Sequence, residues 1–264
     1  MILVTGGAGF IGSAYIWHLN RQGITGILVA DRLHSSNKWK NLTGLQIADY
    51  IDRSGIFAYL EHYGIKPETV IHMGACSSTI ETNADYIIKT NFDFSKKIWE
   101  YCSEQKIKLI YASSAATYGD GSAGYCDQHD LINRLRPLNI YGFSKHFFDQ
   151  WALGQTRRPP FYYGLKFFNV FGPNEYHKQQ MSSVLFHAYN DIKNTGKCRL
   201  FKSHRSDIPH GEQKRDFIYV KDIVKIIDYF RINNIESGIY NAGSGVASSF
   251  KKLITSLFTA LGKK

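Results

Sequence analysis

The chain has 264 residues, 44% hydrophobic and 20% charged, which suits one packed α/β domain, or a large domain with a small second lobe, and excludes a disordered chain. Its formal net charge is +10, but no block of five or more Lys/Arg occurs, so dedicated nucleic-acid binding is not expected and an anionic small molecule is the better partner. The four cysteines (Cys76, Cys102, Cys126, Cys198) form no CxxC pair and no zinc-type cluster with histidine, no apolar stretch has membrane-spanning length, and the N-terminus lacks the basic start of a signal peptide; together these indicate free thiols, no metal, no membrane and a cytoplasmic location.

Ile2–Thr5 reads as a buried strand, and Ile11–Gln22 as the helix after it. A second strand is predicted at Ile27–Asp31 and a third at Leu45–Ala48. A helix around Gly55–Tyr63 leads to a fourth strand at Thr69–Met73. A longer helix around Tyr86–Glu104 leads to a fifth at Lys108–Ala112. Tyr141–Gly154 is a helix and Tyr162–Val170 a strand. This alternation predicts an α/β fold, a doubly wound parallel sheet covered by helices on both faces. The rest is less regular. Met181–Asn194 reads as a helix, Lys202–Gln213 as a polar, His-rich loop, Asp216–Val220 as a short strand and Asp222–Asn233 as a helix. Ser248–Leu261 is the last helix, capped by Ser248 or Ser249 and ended by Gly262.

Residues 2–12 read Ile-Leu-Val-Thr-Gly-Gly-Ala-Gly-Phe-Ile-Gly. Gly6, Gly9 and Gly12 lie between a strand and a helix, the context in which such spacing holds the pyrophosphate of a dinucleotide. The expected acid at the end of the second strand is Asp31, which would hold the adenosine ribose and by itself favours NAD. Arg32 beside it, with Lys38 and Arg53, can neutralise the additional phosphate of NADP. NADP is therefore the expected cofactor, with NAD as the alternative. A Rossmann domain is assigned to residues 1–168. The substrate-binding lobe falls mainly in 169–264, interleaved with the first.

Tyr141 and Lys145 stand four apart on a predicted helix and share a face. The Lys145 ammonium can lower the Tyr141 phenol pKa and make it a general base near neutral pH. Ser114, in the segment Tyr111–Gly119 after the fifth strand, can hydrogen-bond the reacting oxygen. Glycine loop, Ser-Ser-Ala segment and Tyr-x-x-x-Lys, in this order, resemble the extended short-chain dehydrogenase/reductase superfamily. Gly74-Ala-Cys-Ser-Ser-Thr79, Phe168-Asn-Val-Phe-Gly-Pro173 followed by His177-Lys178, Ile47-Ala-Asp-Tyr50, Leu200-Phe201 and Arg215-Asp-Phe-Ile-Tyr-Val-Lys-Asp222 narrow it. With these the chain resembles the ADP-glyceromanno-heptose 6-epimerase family over its whole length.

The resemblance implies a homo-oligomeric, NADP-dependent isomerase. Its substrate is an ADP-linked heptose, and its product serves lipopolysaccharide core synthesis. It implies Tyr141 as acid/base, Lys145 also on the nicotinamide ribose, Ser114 on the substrate hydroxyl and Lys178 as a second acid/base on the opposite face. It implies cofactor contacts at Phe10, Ile11, Met73, Gly74, Ala75, Cys76, Ser77, Asn91 and Val170, and substrate contacts at Asn169, Gln180, His187, Phe201 and Arg215. Three departures stand out. Gln179 and Gln180 replace the family's Gly and Ser. The loop 202–213 is longer than the family's. The family also continues several tens of residues further, in a segment that closes the sugar pocket, which implies tight cofactor binding with weak or absent epimerisation here. Two other readings are a 4-epimerase or dehydratase on another nucleotide sugar, and a cofactor-binding protein without turnover.

Overall fold

The structure is a computed structural model that describes residues 1–263. The strands among the described residues are β1 (Ile2–Thr5), β2 (Ile27–Asp31), β3 (Asp49–Asp52), β4 (Thr69–His72), β5 (Lys108–Ser114), β6 (Tyr162–Phe167), β7 (Asn169–Phe171), β8 (Lys214–Tyr219), β9 (Gly238–Ala242) and β10 (Ala247–Ser249). The α-helices are α1 (Phe10–Arg21), α2 (Ile56–His62), α3 (Ala84–Ile87), α4 (Phe94–Gln105), α5 (Ile140–Leu153), α6 (Val184–Thr195), α7 (Val220–Ile232) and α8 (Phe250–Ala260).

Seven strands form one parallel sheet in the order β3-β2-β1-β4-β5-β6-β9. Successive side chains point to opposite faces, so a strand with both faces covered must be apolar throughout. Ile2 and Val4 face a core shared with α1 and α7, while Leu3 faces the core under α2, α4 and α5. Ile27 and Val29, against Leu28 and Ala30, repeat the division in β2. A second sheet, β10-β8-β7, stands apart from the first, and α6 and α8 share a small cluster around Ile192 and Ile254. β9 and α7 belong to the main sheet and its cover although they come after residue 169.

The third strand is Asp49–Asp52, paired Leu28 to Asp49, and Leu45 and Ile47 pack on the core without joining the sheet. An edge strand with only Ile51 buried has a weaker apolar signature than the segment leading into it. The predicted strand 162–170 is divided. β6 ends at Phe167, and β7 pairs with β8 in the other sheet. The predicted helix 86–104 contains a π-helical stretch, Ile88–Asp93, between α3 and α4. α6 begins at Val184 rather than Met181, because Ser183 caps it through Phe186 N–H. Ser249 is the cap of α8, and Gly262 follows it with a positive φ of 64°. β9, a short Gly-Ile-Tyr-Asn-Ala strand at the sheet edge, has no sequence signature of its own. Among the described residues no helix is long and apolar enough to cross a membrane.

One polar cluster lies inside the fold, between β5, β6 and α5. Asp149 accepts from Lys166 Nζ at 2.7 Å, Ser113 Oγ at 2.6 Å and Tyr111 Oη at 3.2 Å, and Lys166 also donates to Thr117 Oγ1. Both charged side chains are inaccessible, 3% exposed for Lys166 and 0% for Asp149. A buried pair is tolerable only while each charge keeps its partner. Lys166→Met should therefore destabilise the fold by about 3–5 kcal/mol. Combining it with Asp149→Asn, which keeps the Ser113 bond and removes the stranded charge, should recover part of that loss. Chemical denaturation of the two variants checks the ordering.

Candidate active site

The sheet reverses its direction of growth between β1 and β4, and at the carboxyl ends of these strands a cleft of about 700 Å³ opens. This is where an open α/β sheet offers room for a ligand. The cleft floor is made by close backbone contact. A Cβ on Gly6, whose φ is +67°, would lie 2.6 Å from Gly74 Cα, and one on Gly12 would lie 2.3 Å from the Gly6 carbonyl oxygen. α1 begins after Gly9 without a side-chain cap, so its first-turn N–H groups face the cleft as anion donors. The bare loop and open helix end fit a dinucleotide pyrophosphate.

Beneath the loop a chain of hydrogen bonds crosses the sheet. Thr5 Oγ1 accepts from Gly74 N–H and meets His72 Nδ1 at 2.6 Å; His72 Nε2 meets Ser95 Oγ at 2.9 Å; Ser95 donates to the Asn91 carbonyl. His72 is buried, and burial, with Lys145 and Arg53 nearby, pulls its pKa down to about 3. The ring is thus neutral, acceptor at Nδ1 and donor at Nε2, in keeping with the direction of the chain. Asn91 is buried, and its side chain is engaged by Cys76 N–H, the Cys76 carbonyl and Ser144 Oγ. It braces the loop after β4 and does not line the cleft.

The end of β2 is the most highly charged wall. Asp31 accepts from Ala8 N–H at 2.9 Å, Arg32 N–H at 2.7 Å and Lys38 Nζ at 2.7 Å, so it holds the glycine loop and a cation together. Arg53 stacks on Phe94 at 5.3 Å, and burial and the neighbouring Arg32 both push its pKa down. Arg32, Lys38, Arg53 and His34 all line this end.

The opposite end carries Ser114, Tyr141 and Lys145. Asn139 caps α5 through Gly142 N–H, which sets the first turn so that Tyr141 faces the end of β5. The Tyr141 phenol is pushed up by burial, and its hydrogen bond with Ser114 works against that shift. Lys145 is not among the groups that shift the phenol, and its ammonium donates to the Ala112 carbonyl at 2.8 Å. Lys145 is itself buried and pulled down to about 8, with Asp149 one turn on opposing the shift.

The remaining wall comes from the segment between β7 and α6. Lys178 reaches into the cleft with Nζ 5.6 Å from the Phe10 ring centroid, its pKa lowered by burial and raised in part by Glu175. Phe10, Ile11, Met73, Ala75, Cys76, Ser77, Asn169 and Val170 line the same cleft. Gln180, His187, Phe201 and Arg215 do not. Gln180 is exposed in the turn after Lys178, His187 is on the outer face of α6, and Arg215 is exposed and bonds the Lys214 carbonyl. Phe201 packs edge-on against Phe250, which does line the cleft together with Phe217. His72 and Phe250 lie outside the motifs, and Thr5 and Phe217 lie inside them without an assigned role; the roles of all four depend on pairings between distant segments. Among the described residues no group of three or more His, Cys, Asp or Glu side chains is placed to hold a metal ion.

The model of the NAD dependent epimerase/dehydratase family matches residues 2–243. An ADP-L-glycero-D-manno-heptose-6-epimerase of Fusobacterium nucleatum is 50% identical over 257 residues, 96% of this chain and 77% of the relative. One of the same name from Brachyspira hyodysenteriae is 41% identical over 97% of this chain and 80% of its own length. The crystal structure of Helicobacter pylori ADP-L-glycero-D-manno-heptose-6-epimerase superposes with a TM-score of 0.84 at 29% identity, covering 99% of this chain and 82% of that one. A UDP-N-acetylglucosamine 4-epimerase from Methanobrevibacter ruminantium reaches the same TM-score at 25% identity, over 100% of this chain and 82% of that one.

Two outcomes test the cleft floor. Gly12→Ala should abolish dinucleotide binding while the chain still folds, since the new methyl group must displace the Gly6 carbonyl; fluorescence titration with NADP and with NAD measures it. His72 should contribute to acid lability. Its folded pKa is about 3, against 6.5 for the free side chain, so the unfolded chain takes up a proton first and stability is lost as pH falls from 6.5 towards 3. His72→Gln should make the fall shallower by up to about 1.4 kcal/mol per pH unit, read by urea denaturation across that range.

Proposed function

The chain belongs to the NAD dependent epimerase/dehydratase family, and from that premise we propose that it is an isomerase that epimerises C6 of ADP-D-glycero-β-D-manno-heptose to the L-glycero form, with NADP as the bound cofactor. The observation that carries this reading is the convergence of Ser114, Tyr141 and Lys145 from one side and Lys178 from another on a single cleft that begins at a glycine loop. Epimerisation at a carbinol carbon removes hydrogen from one face and returns it to the other. It needs a proton-transfer group for each orientation of the intermediate ketone.

Bound nicotinamide supplies the hydride acceptor and donor. The chain supplies the rest. Ser114 and Tyr141, side by side on the cleft wall, mark the position of the reacting hydroxyl, and Tyr141 moves its proton. Lys145 fixes the ribose and the local field. Lys178 serves the turned-over ketone from its own wall. Residues 1–168 hold the cofactor, and 169–264 contribute most of the sugar contacts. Asn169 is the expected sugar contact that lines the cleft; Phe217 and Phe250 form its aromatic wall.

NADP is preferred because Lys38 already neutralises Asp31, leaving Arg32 and the half-buried Arg53, with Asp52 as the further acid beside them, to meet an additional phosphate. Self-association is assigned to the outer face of α5, where Phe143 and Phe147 are exposed and stack at 5.5 Å, a contiguous aromatic strip of the kind that partners cover. The cytoplasm is assigned on the four free thiols.

The equal structural likeness to a 4-epimerase leaves substrate choice to side chains. Turnover of ADP-D-glycero-D-manno-heptose with none of UDP-N-acetylglucosamine supports the reading; the reverse result favours the 4-epimerase alternative. Tyr141→Phe should lower kcat by roughly 10²–10⁴-fold, the usual size for a lost general acid–base, with cofactor affinity unchanged. Lys145→Ala should harm both. Arg53→Ala should weaken NADP more than NAD in paired binding titrations; equal weakening removes the phosphate argument.

A further inference from the structure

Lys178 stands on a segment with little regular structure, running from the end of β7 to the start of α6, with one 3₁₀ stretch at Tyr176–Met181. A single buried carboxylate holds it. Glu175 is 2% exposed. Its Oε1 accepts from Gly172 N–H at 3.1 Å and from Ser183 Oγ at 2.8 Å, and its Oε2 accepts from Ser183 N–H. Its own carbonyl accepts from Lys178 N–H at 2.9 Å and Ser182 Oγ at 3.1 Å. The two ends of the segment, Gly172 and the α6 cap Ser183, are thereby tied to one side chain.

The turn hanging from this clasp is strained. Gln179 has φ 49° and ψ −122°, a conformation natural to glycine and costly for any residue with a Cβ. Such a backbone persists only where its surroundings over-determine it, typically at about 1–3 kcal/mol. Lys178, immediately before it, is carried into the cleft. The charged and titratable groups facing Lys178 are Glu175 on its own segment and His177 beside it, with Lys38 and Asp31 across the cleft near His177; the Phe10 ring lies beneath its Nζ.

We propose that Glu175 is the positioning residue of the second acid/base: its carboxylate clasps the 172–183 segment around the strained Gln179 turn and so aims Lys178 into the cleft. The same negative charge is the acidic group that supports the Lys178 ammonium against its burial. The proposal rests on the reading of Lys178 as that acid/base. It ascribes two separable effects to Glu175, one geometric and one electrostatic.

The test uses the full chain with its lysines dimethylated by ¹³C-formaldehyde, the Lys178 resonance being identified by its loss in Lys178→Met. In Glu175→Gln, which keeps the shape and removes the charge, Lys178 should titrate at lower pH than in the parent. With ADP-D-glycero-D-manno-heptose as substrate and unlabelled protein, kcat should fall roughly 10–100-fold, the scale of a misplacement near 1 Å, with NADP affinity unchanged. Adding Gln179→Gly to Glu175→Gln relieves the strained turn. It should restore part of kcat and leave the shifted titration where it is. Ser183→Ala drops one clasp bond and keeps the charge, so it should lower kcat modestly with no shift in titration. An unshifted Lys178 titration in folded Glu175→Gln overturns the proposal. If Glu175→Gln does not fold, parental kcat in Ser183→Ala overturns it instead. Full activity in Lys178→Met, by contrast, removes the underlying acid/base reading and leaves the titration result to judge the clasp.

Discussion

The backbone of Gly6 lies so close to that of Gly74 that no side-chain carbon fits between them. These glycines sit at the carboxyl ends of β1 and β4, the neighbouring strands from which the sheet grows in opposite directions. Contact there brings α1 down onto the sheet, and Gly12 repeats the demand one turn later against the Gly6 carbonyl. The open end of α1 then faces the cleft at a distance suited to an anion. Asp31 holds the loop from the β2 side through Ala8 N–H, and Thr5 and His72 hold it from below. Every other functional wall is hung around this junction.

Charge explains much of the site's chemistry. Lys145 and Lys166 are buried cations, and Arg53 and Lys178 are pushed down by burial from their ordinary values. Asp149 serves two of them, as direct partner of Lys166 and as the acid that partly supports Lys145. Arg32 and Arg53 oppose each other at the β2 end of the cleft. A cleft lined by Arg32, Lys38, Arg53, Lys145 and Lys178 against the carboxylate of Asp31 suits a ligand bearing several phosphates. The overall charge of +10 is thus partly concentrated where it acts.

Fold and activity separate in this family. A 6-epimerase and a 4-epimerase match the backbone equally, at a TM-score of 0.84 each. The scaffold therefore specifies where a nucleotide and a nucleotide sugar meet, and not which carbon is inverted. Identity of 50% to a 6-epimerase is what separates the alternatives. The aromatic residues Phe217 and Phe250, which pack edge-on, both line the cleft.

The local motifs were legible from residues alone. The glycine spacing, the acid at the end of β2 and the Tyr141–Lys145 pair each need only a few neighbouring residues in a known element, because helical and strand periodicity place them. The apolar strands β1, β2, β4 and β5 were readable for the same reason, being buried on both faces. Where the periodic signal is weak, tertiary structure decided. β3 is an edge strand with one buried residue, β9 is a five-residue edge strand, and one run, 162–170, is shared between two sheets, β6 ending at Phe167 and β7 pairing with β8. Asn91, a cofactor contact by resemblance, is spent on bracing Cys76, and the Lys145 ammonium bonds the Ala112 carbonyl. The Thr5–His72–Ser95 chain and the Glu175 clasp were invisible beforehand. Hydrogen-bond partners are chosen by which donors and acceptors folding buries together, and no sequence spacing encodes that choice.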